Sequence, residues 1–125
     1  MTYTYLGKPV ELNEHGNNAA IKVHILDWDS MNAIGFHWDD IFQRWFFWKS
    51  VYKNDITFNM TIKNEDDWRI DILDEDFLQP YDYQAMYESG VHIPVIMSVM
   101  KNVDEIMCAL KQKGIISGWE VGDYI

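Results

Sequence analysis

Few side chains in this sequence are suited to chemistry, and their spacing decides what each could do. Histidine occurs four times, at His15, His24, His37 and His92. None falls in the His-x-x-x-His or paired-cysteine spacing that brings zinc ligands together locally. The tightest constellations are His37 with Asp39 and Asp40, and Asp27 with Asp29. Each of these acids has an ordinary use as a loop or helix N-terminal group, where a carboxylate meets free backbone N–H groups. A calcium loop starting at Asp74 fails, because Leu78 and Gln79 stand where an EF-hand needs an oxygen ligand and a glycine. The Gly-x-Gly-x-x-Gly and Gly-Lys-Ser/Thr patterns that cradle phosphates are absent. Cys108 is the single cysteine, so no intrachain disulfide forms. It lies in a predicted helix without a neighbouring His to activate it and reads as a small helix residue. Twenty acids guarantee many carboxylate pairs, so a pair alone is no sign of glycosidase-type acid and base work. No metal and no cofactor is expected.

The acids are unevenly placed. The 125 residues carry a formal net charge of -10, and residues 65–88 hold nine acids against Arg69 alone. The segments on either side are nearly balanced. This stretch interleaves its carboxylates with Trp68, Phe77, Tyr81, Tyr83 and Tyr87, and Ile70 and Ile72 alternate with charged residues. A disordered acidic tail lacks such residues. Carboxylates beside aromatic rings suit contact with a basic protein, since the charges steer association and the rings anchor it. The expected partner-binding residues are Asp66, Asp67, Asp71, Asp74, Glu75, Asp76, Tyr81, Asp82 and Tyr83.

Three functions compete. The first is a small acidic cytoplasmic protein that blocks a basic effector, such as a toxin or nuclease. In size, acidity and aromatic content the chain is similar to immunity proteins, antitoxins and phage anti-defence proteins, though no motif is diagnostic of one such family. The second is a small enzyme or ligand-binding domain whose pocket is lined by the rings between Phe36 and Trp48 with some of His37, Asp39 and Asp40. The third is a housekeeping domain whose acidity serves solubility. Direct nucleic-acid binding is disfavoured, because ten bases, only two of them arginine, are spread thinly. No apolar run reaches the eighteen or so residues of a membrane span, and no signal peptide is expected from the alternating opening residues.

The elements that must position these residues follow from periodicity. Tyr3 and Tyr5 with Val10 and Leu12 predict a hairpin around Gly7-Lys8-Pro9, with Pro at a turn position. Alternation predicts a half-buried strand over 20–28, and a hairpin of 56–62 with 68–72 is the clearest element. Residues 39–52 are ambiguous: the rings fall at helical spacing, yet Trp45-Phe46-Phe47-Trp48 are strong strand formers, and the balance leans slightly to helix. Pro80 precedes a short helix over 81–88. Pro94 opens the longest helix, about 94–113, with Gly114 as its stop. A closing strand is predicted over 119–125. About two-thirds of the unfolded surface of a 14.8 kDa chain is buried on folding, leaving roughly 7,000 Å² exposed. That suffices for one core, so the expected architecture is a single-domain α+β fold. An antiparallel sheet is packed by the long helix and one or two others.

Overall fold

The computed structural model describes residues 2–125. It is an α+β fold with three helices and an accessible surface of 7401 Å². The chain runs β1 (Thr2–Tyr5), β2 (Lys8–Glu11), β3 (Lys22–Val23), α1 (Trp28–Ile34), β4 (His37–Asp39) and β5 (Arg44–Tyr52). It continues through β6 (Ile56–Asn64), β7 (Asp67–Asp74), β8 (Gln79–Pro80), α2 (Tyr83–Glu88), α3 (Pro94–Gln112) and β9 (Ile116–Ser117). No helix is long and apolar enough to cross a membrane.

The centre is an antiparallel meander, β4-β5-β6-β7-β8. In β6, Phe58, Met60 and Ile62 are fully buried and register against Ile72, Ile70 and Trp68 of β7. Because side chains alternate across a strand, these residues form one apolar face. The buried stripe of α3, which includes Ile96, Val99, Val103, Ile106, Met107 and Leu110, joins that face in one core. Asn102 Nδ2 donates to the Val51 carbonyl at 2.7 Å and ties helix to sheet. Gly114 in the left-handed region ends the helix, and Ile115 N–H donates back to Leu110. The opposite face carries Phe46, Trp48 and Ser50 on β5, Thr57, Asn59 and Thr61 on β6, and Arg69, Asp71 and Leu73 on β7.

Several expectations are corrected. Residues 39–52 form the end of β4, a turn and β5 rather than a helix. The rings divide between the two sheet faces, with Trp45 buried and Trp48 exposed. An apparent helical spacing among many rings is what such a two-faced strand produces. Of the strand over 20–28 only β3 pairs, and it pairs with β9; Asp27 instead caps α1, accepting from Ser30 N. The predicted closing strand over 119–125 is irregular, although Trp119 and Ile125 are buried. Pro9 sits opposite Thr4 inside β2, while Leu6 and Gly7 make the turn. The short helix starts at Tyr83 rather than 81.

The middle of β7 is closed at its outer edge by a side chain. Asn17, 4% exposed, donates from Nδ2 to the Ile70 carbonyl at 2.9 Å and accepts from Ile70 N at 3.0 Å. Its amide thus meets both backbone groups as a neighbouring strand would, and this blunts the edge.

Candidate functional site

Two turns at opposite ends of the meander share one construction. In the β7–β8 turn, Asp74 Oδ1 accepts from Asp76 N at 3.0 Å and Phe77 N at 3.4 Å, and Leu78 closes the turn at φ 51. In the β4–β5 turn, Asp39 Oδ1 accepts from Ile41 N at 3.0 Å and Phe42 N at 3.2 Å, and Gln43 closes it at φ 53. An aspartate opens each turn because its short carboxylate reaches the N–H groups two and three residues on. Each turn projects large apolar side chains: Phe77 and Leu78 are 73% and 81% exposed, and Ile41 and Phe42 are 85% and 63% exposed.

The nine expected partner-binding residues divide into separate places. Asp74, Glu75 and Asp76 build the β7–β8 tip with Phe77 and Leu78, and Glu75 N–H donates to Asp55 of the neighbouring turn. The Glu75 carboxylate accepts from the buried Thr57 hydroxyl. Among the described residues no lysine, arginine or histidine lies within ion-pair distance of Asp74, Glu75 or Asp76. Asp71, Tyr81, Asp82 and Tyr83 line one cleft of about 270 Å³ beside the edge of β7. There Asp71 pairs with Arg69 at 2.7 Å. Burial, then the Asp74 charge, pushes the Tyr81 hydroxyl upward; Asp82 adds to burial in raising Tyr3 and Tyr124. Asp66 and Asp67 lie at the other end of the sheet, where Asp67 Oδ1 meets His15 Nε2 at 3.0 Å. Tyr83 corrects the expectation of a surface anchor. It is 2% exposed in the core, and burial holds its hydroxyl well above the ordinary range. The Asp82-Tyr83 pair starts α2, and the first helical residue turns inward.

The constellation His37, Asp39 and Asp40 is committed to structure. His37 is exposed and lies beside Phe46, with ring centres 5.6 Å apart. Asp39 holds the turn, and Asp40 accepts from Trp38 Nε1 at 2.8 Å. Metal-type donors also meet at Glu14, His15 and Asp67, whose ligand atoms lie within 4.8 Å of one another. That grouping was not read from sequence because Asp67 is distant along the chain. Exposed large apolar side chains at the tip were also missed, since sequence alone places Phe77 and Leu78 equally well in a core. The arrangement at the tip sets exposed apolar side chains among carboxylates that have no cation within ion-pair distance among the described residues. Comparison with protein-family models, curated proteins and solved structures gave no match.

Proposed function

We propose that the protein binds a basic protein partner through the β7–β8 tip and acts as an inhibitor of that partner, in the manner of immunity proteins and antitoxins. The observation that carries this reading is the tip itself, where Phe77 and Leu78 stand out from Asp74, Glu75 and Asp76. Leu78 adds a second argument. A non-glycine residue in the left-handed region costs about 1 kcal/mol, and glycine is the ordinary occupant of such a turn position. Its side chain packs little of itself against the fold, so the cost is offset by no comparable burial within the chain. A contact with another molecule would offset it. The carboxylates around it would pair with Arg or Lys of the partner and speed encounter, while the two apolar side chains would supply the contact that excludes water.

The test is quantitative affinity capture from the native cell with the wild-type chain, L78G, F77S and D74N/D76N as baits. Asparagine retains the side-chain oxygen that opens the turn, so D74N/D76N removes charge with little change of shape. The expected result is a basic protein enriched by the wild type and lost from L78G and F77S. Its affinity should fall about tenfold or more for D74N/D76N and on raising salt, as screened surface charges require. L78G should melt no lower than the wild type, because it relieves the backbone strain. A basic partner held equally by all four baits, or no salt-sensitive partner at all, would overturn the reading.

A further inference from the structure

The other end of the same sheet gathers cations among its carboxylates. Only two arginines occur in the chain, and both line one cleft of about 270 Å³ with Lys63, His15, Thr61 and Phe42, where Asp67 is the single lining carboxylate. The register explains the convergence. Phe46, Thr61 and Arg69 lie opposite one another across β5, β6 and β7 on the face not covered by α3. Arg44 shares a strand face with Phe46, two residues on, and Lys63, at the register shift that ends the β6–β7 pairing, lines the same cleft as Thr61. Three adjacent strands therefore each deliver one cation to the same place, in a chain of net charge -10.

Their counter-ions are unequal. Arg69 is held by Asp71 at 2.7 Å, and His15 by Asp67 at 3.0 Å. Among the described residues no carboxylate lies within ion-pair distance of Arg44 or Lys63. Asp39, the cross-strand neighbour of Arg44, spends its Oδ1 on the turn N–H groups. The Arg44 guanidinium lies 5.0 Å over the Phe42 ring, and its Nε is buried without a hydrogen-bond acceptor. A buried charged donor without an acceptor is costly, and such groups are uncommon in folded proteins. Stacking on Phe42 restrains the planar fork, which leaves less freedom to lose when two of its N–H groups meet two oxygens.

We propose that this cleft binds the oxyanion of a small molecule, a phosphate or carboxylate group, with Arg44 as its principal donor, Lys63 as a second charge and the Thr61 hydroxyl as a neutral donor. The cleft is just below the range of about 300–1,000 Å³ that holds drug-sized ligands, so the ligand is small. This site does not depend on the tip at the far end of the sheet.

Titration of the full ¹⁵N-labelled chain with inorganic phosphate and with acetate, against chloride at matched ionic strength, tests it. The two arginine Nε–H resonances are separable, because R44Q removes one. The expected result is a saturable shift of the Arg44 resonance with at least one oxyanion, and calorimetric affinity reduced about tenfold in R44Q and severalfold in K63Q. The exposed K113Q variant should bind like wild type. Tighter saturation by phosphate assigns a phosphorylated ligand, and tighter saturation by acetate a carboxylate one. Non-saturating shifts equal to those of chloride, which mean an adventitious ion only, would overturn the proposal. Unchanged affinity in R44Q with an unchanged melting temperature would do the same.

Discussion

Asp104 offers a test of the fold in which burial, charge and pH give one signed expectation. It lies on α3 at a groove with Met97, Met100, Cys108 and Val121, and its charge adds to burial in raising the hydroxyl pKa values of Tyr5 on β1 and Tyr83 on α2. Burial alone pushes its carboxyl from 3.8 up to about 6. The folded chain therefore holds this proton more tightly than the unfolded chain. The resulting stability is fully present below pH 3.8 and is lost as the pH rises through about 6. At neutral pH the fold carries an ionised, half-buried carboxylate. A shift of about two units corresponds to about 3 kcal/mol at most. The group is half exposed, so solvent screening reduces this to roughly 1–1.5 kcal/mol. With an unfolding entropy of about 2.1 cal/mol/K per residue, that stabilisation raises the melting temperature by about 4–6 °C. D104N should show this gain at pH 7 and none near pH 4, because asparagine keeps the shape and removes the charge. The neighbouring E105Q removes the same single negative charge from an exposed position and should change little. Thermal unfolding of the three proteins from pH 3.5 to 8 is the assay. A difference between D104N and wild type that is independent of pH, or a gain equalled by E105Q, would refute the reasoning.

Two further substitutions examine how the site-bearing sheet is held. Asn17→Ala deletes the two bonds to Ile70 and leaves buried backbone groups unmet, so it should cost about 2–4 kcal/mol. Hydrogen exchange at the Ile70 amide should accelerate, and a loss below about 0.5 kcal/mol would mean that water replaces the side chain freely. Gly118→Ala would place a Cβ 2.1 Å from the Ala20 carbonyl oxygen at φ +80, so the chain should unfold at a markedly lower temperature or lose the β3–β9 pairing. An unchanged melting curve would contradict the close approach seen there.

The legible parts of the fold are those where local pattern and tertiary environment ask for the same thing. The β6–β7 hairpin could be read because the buried apolar residues of each strand lie on one face, so alternation survives in the sequence. The long helix could be read because Pro94 and Gly114 mark its ends and its apolar stripe is continuous. β5 is different. Its two faces both accept rings, one in the core and one on the open face, and a strand apolar on both faces loses the alternation by which it is recognised. β3 and β9 pair for two residues each, too few to leave a period, and their partnership joins distant parts of the chain. The candidate site was legible in its composition but not in its geometry. Acid-rich sequence located the segment, whereas Tyr83 turned inward and Asp66 and Asp67 fell at the end opposite the tip.

That division changes what the acidity can do. β7 is eight residues long, so Asp66 and Asp67 stand about 25 Å from Asp74–Asp76 along the strand. Charges that far apart in solvent are separated by more than two screening lengths of about 10 Å at 0.1 M salt. The eight net charges of residues 65–88 therefore do not form one field. The carboxylates at the tip act next to Phe77 and Leu78, where a partner that buries those side chains would also partly desolvate the charges. The carboxylates at the other end share their surroundings with Arg44, Lys63 and Arg69, where they oppose rather than reinforce the local positive charge. The proposed contact at the tip rests on charge and apolar exposure in the same few residues. In that proposal the remaining acids of the segment would contribute to steering at low salt and not to the contact itself.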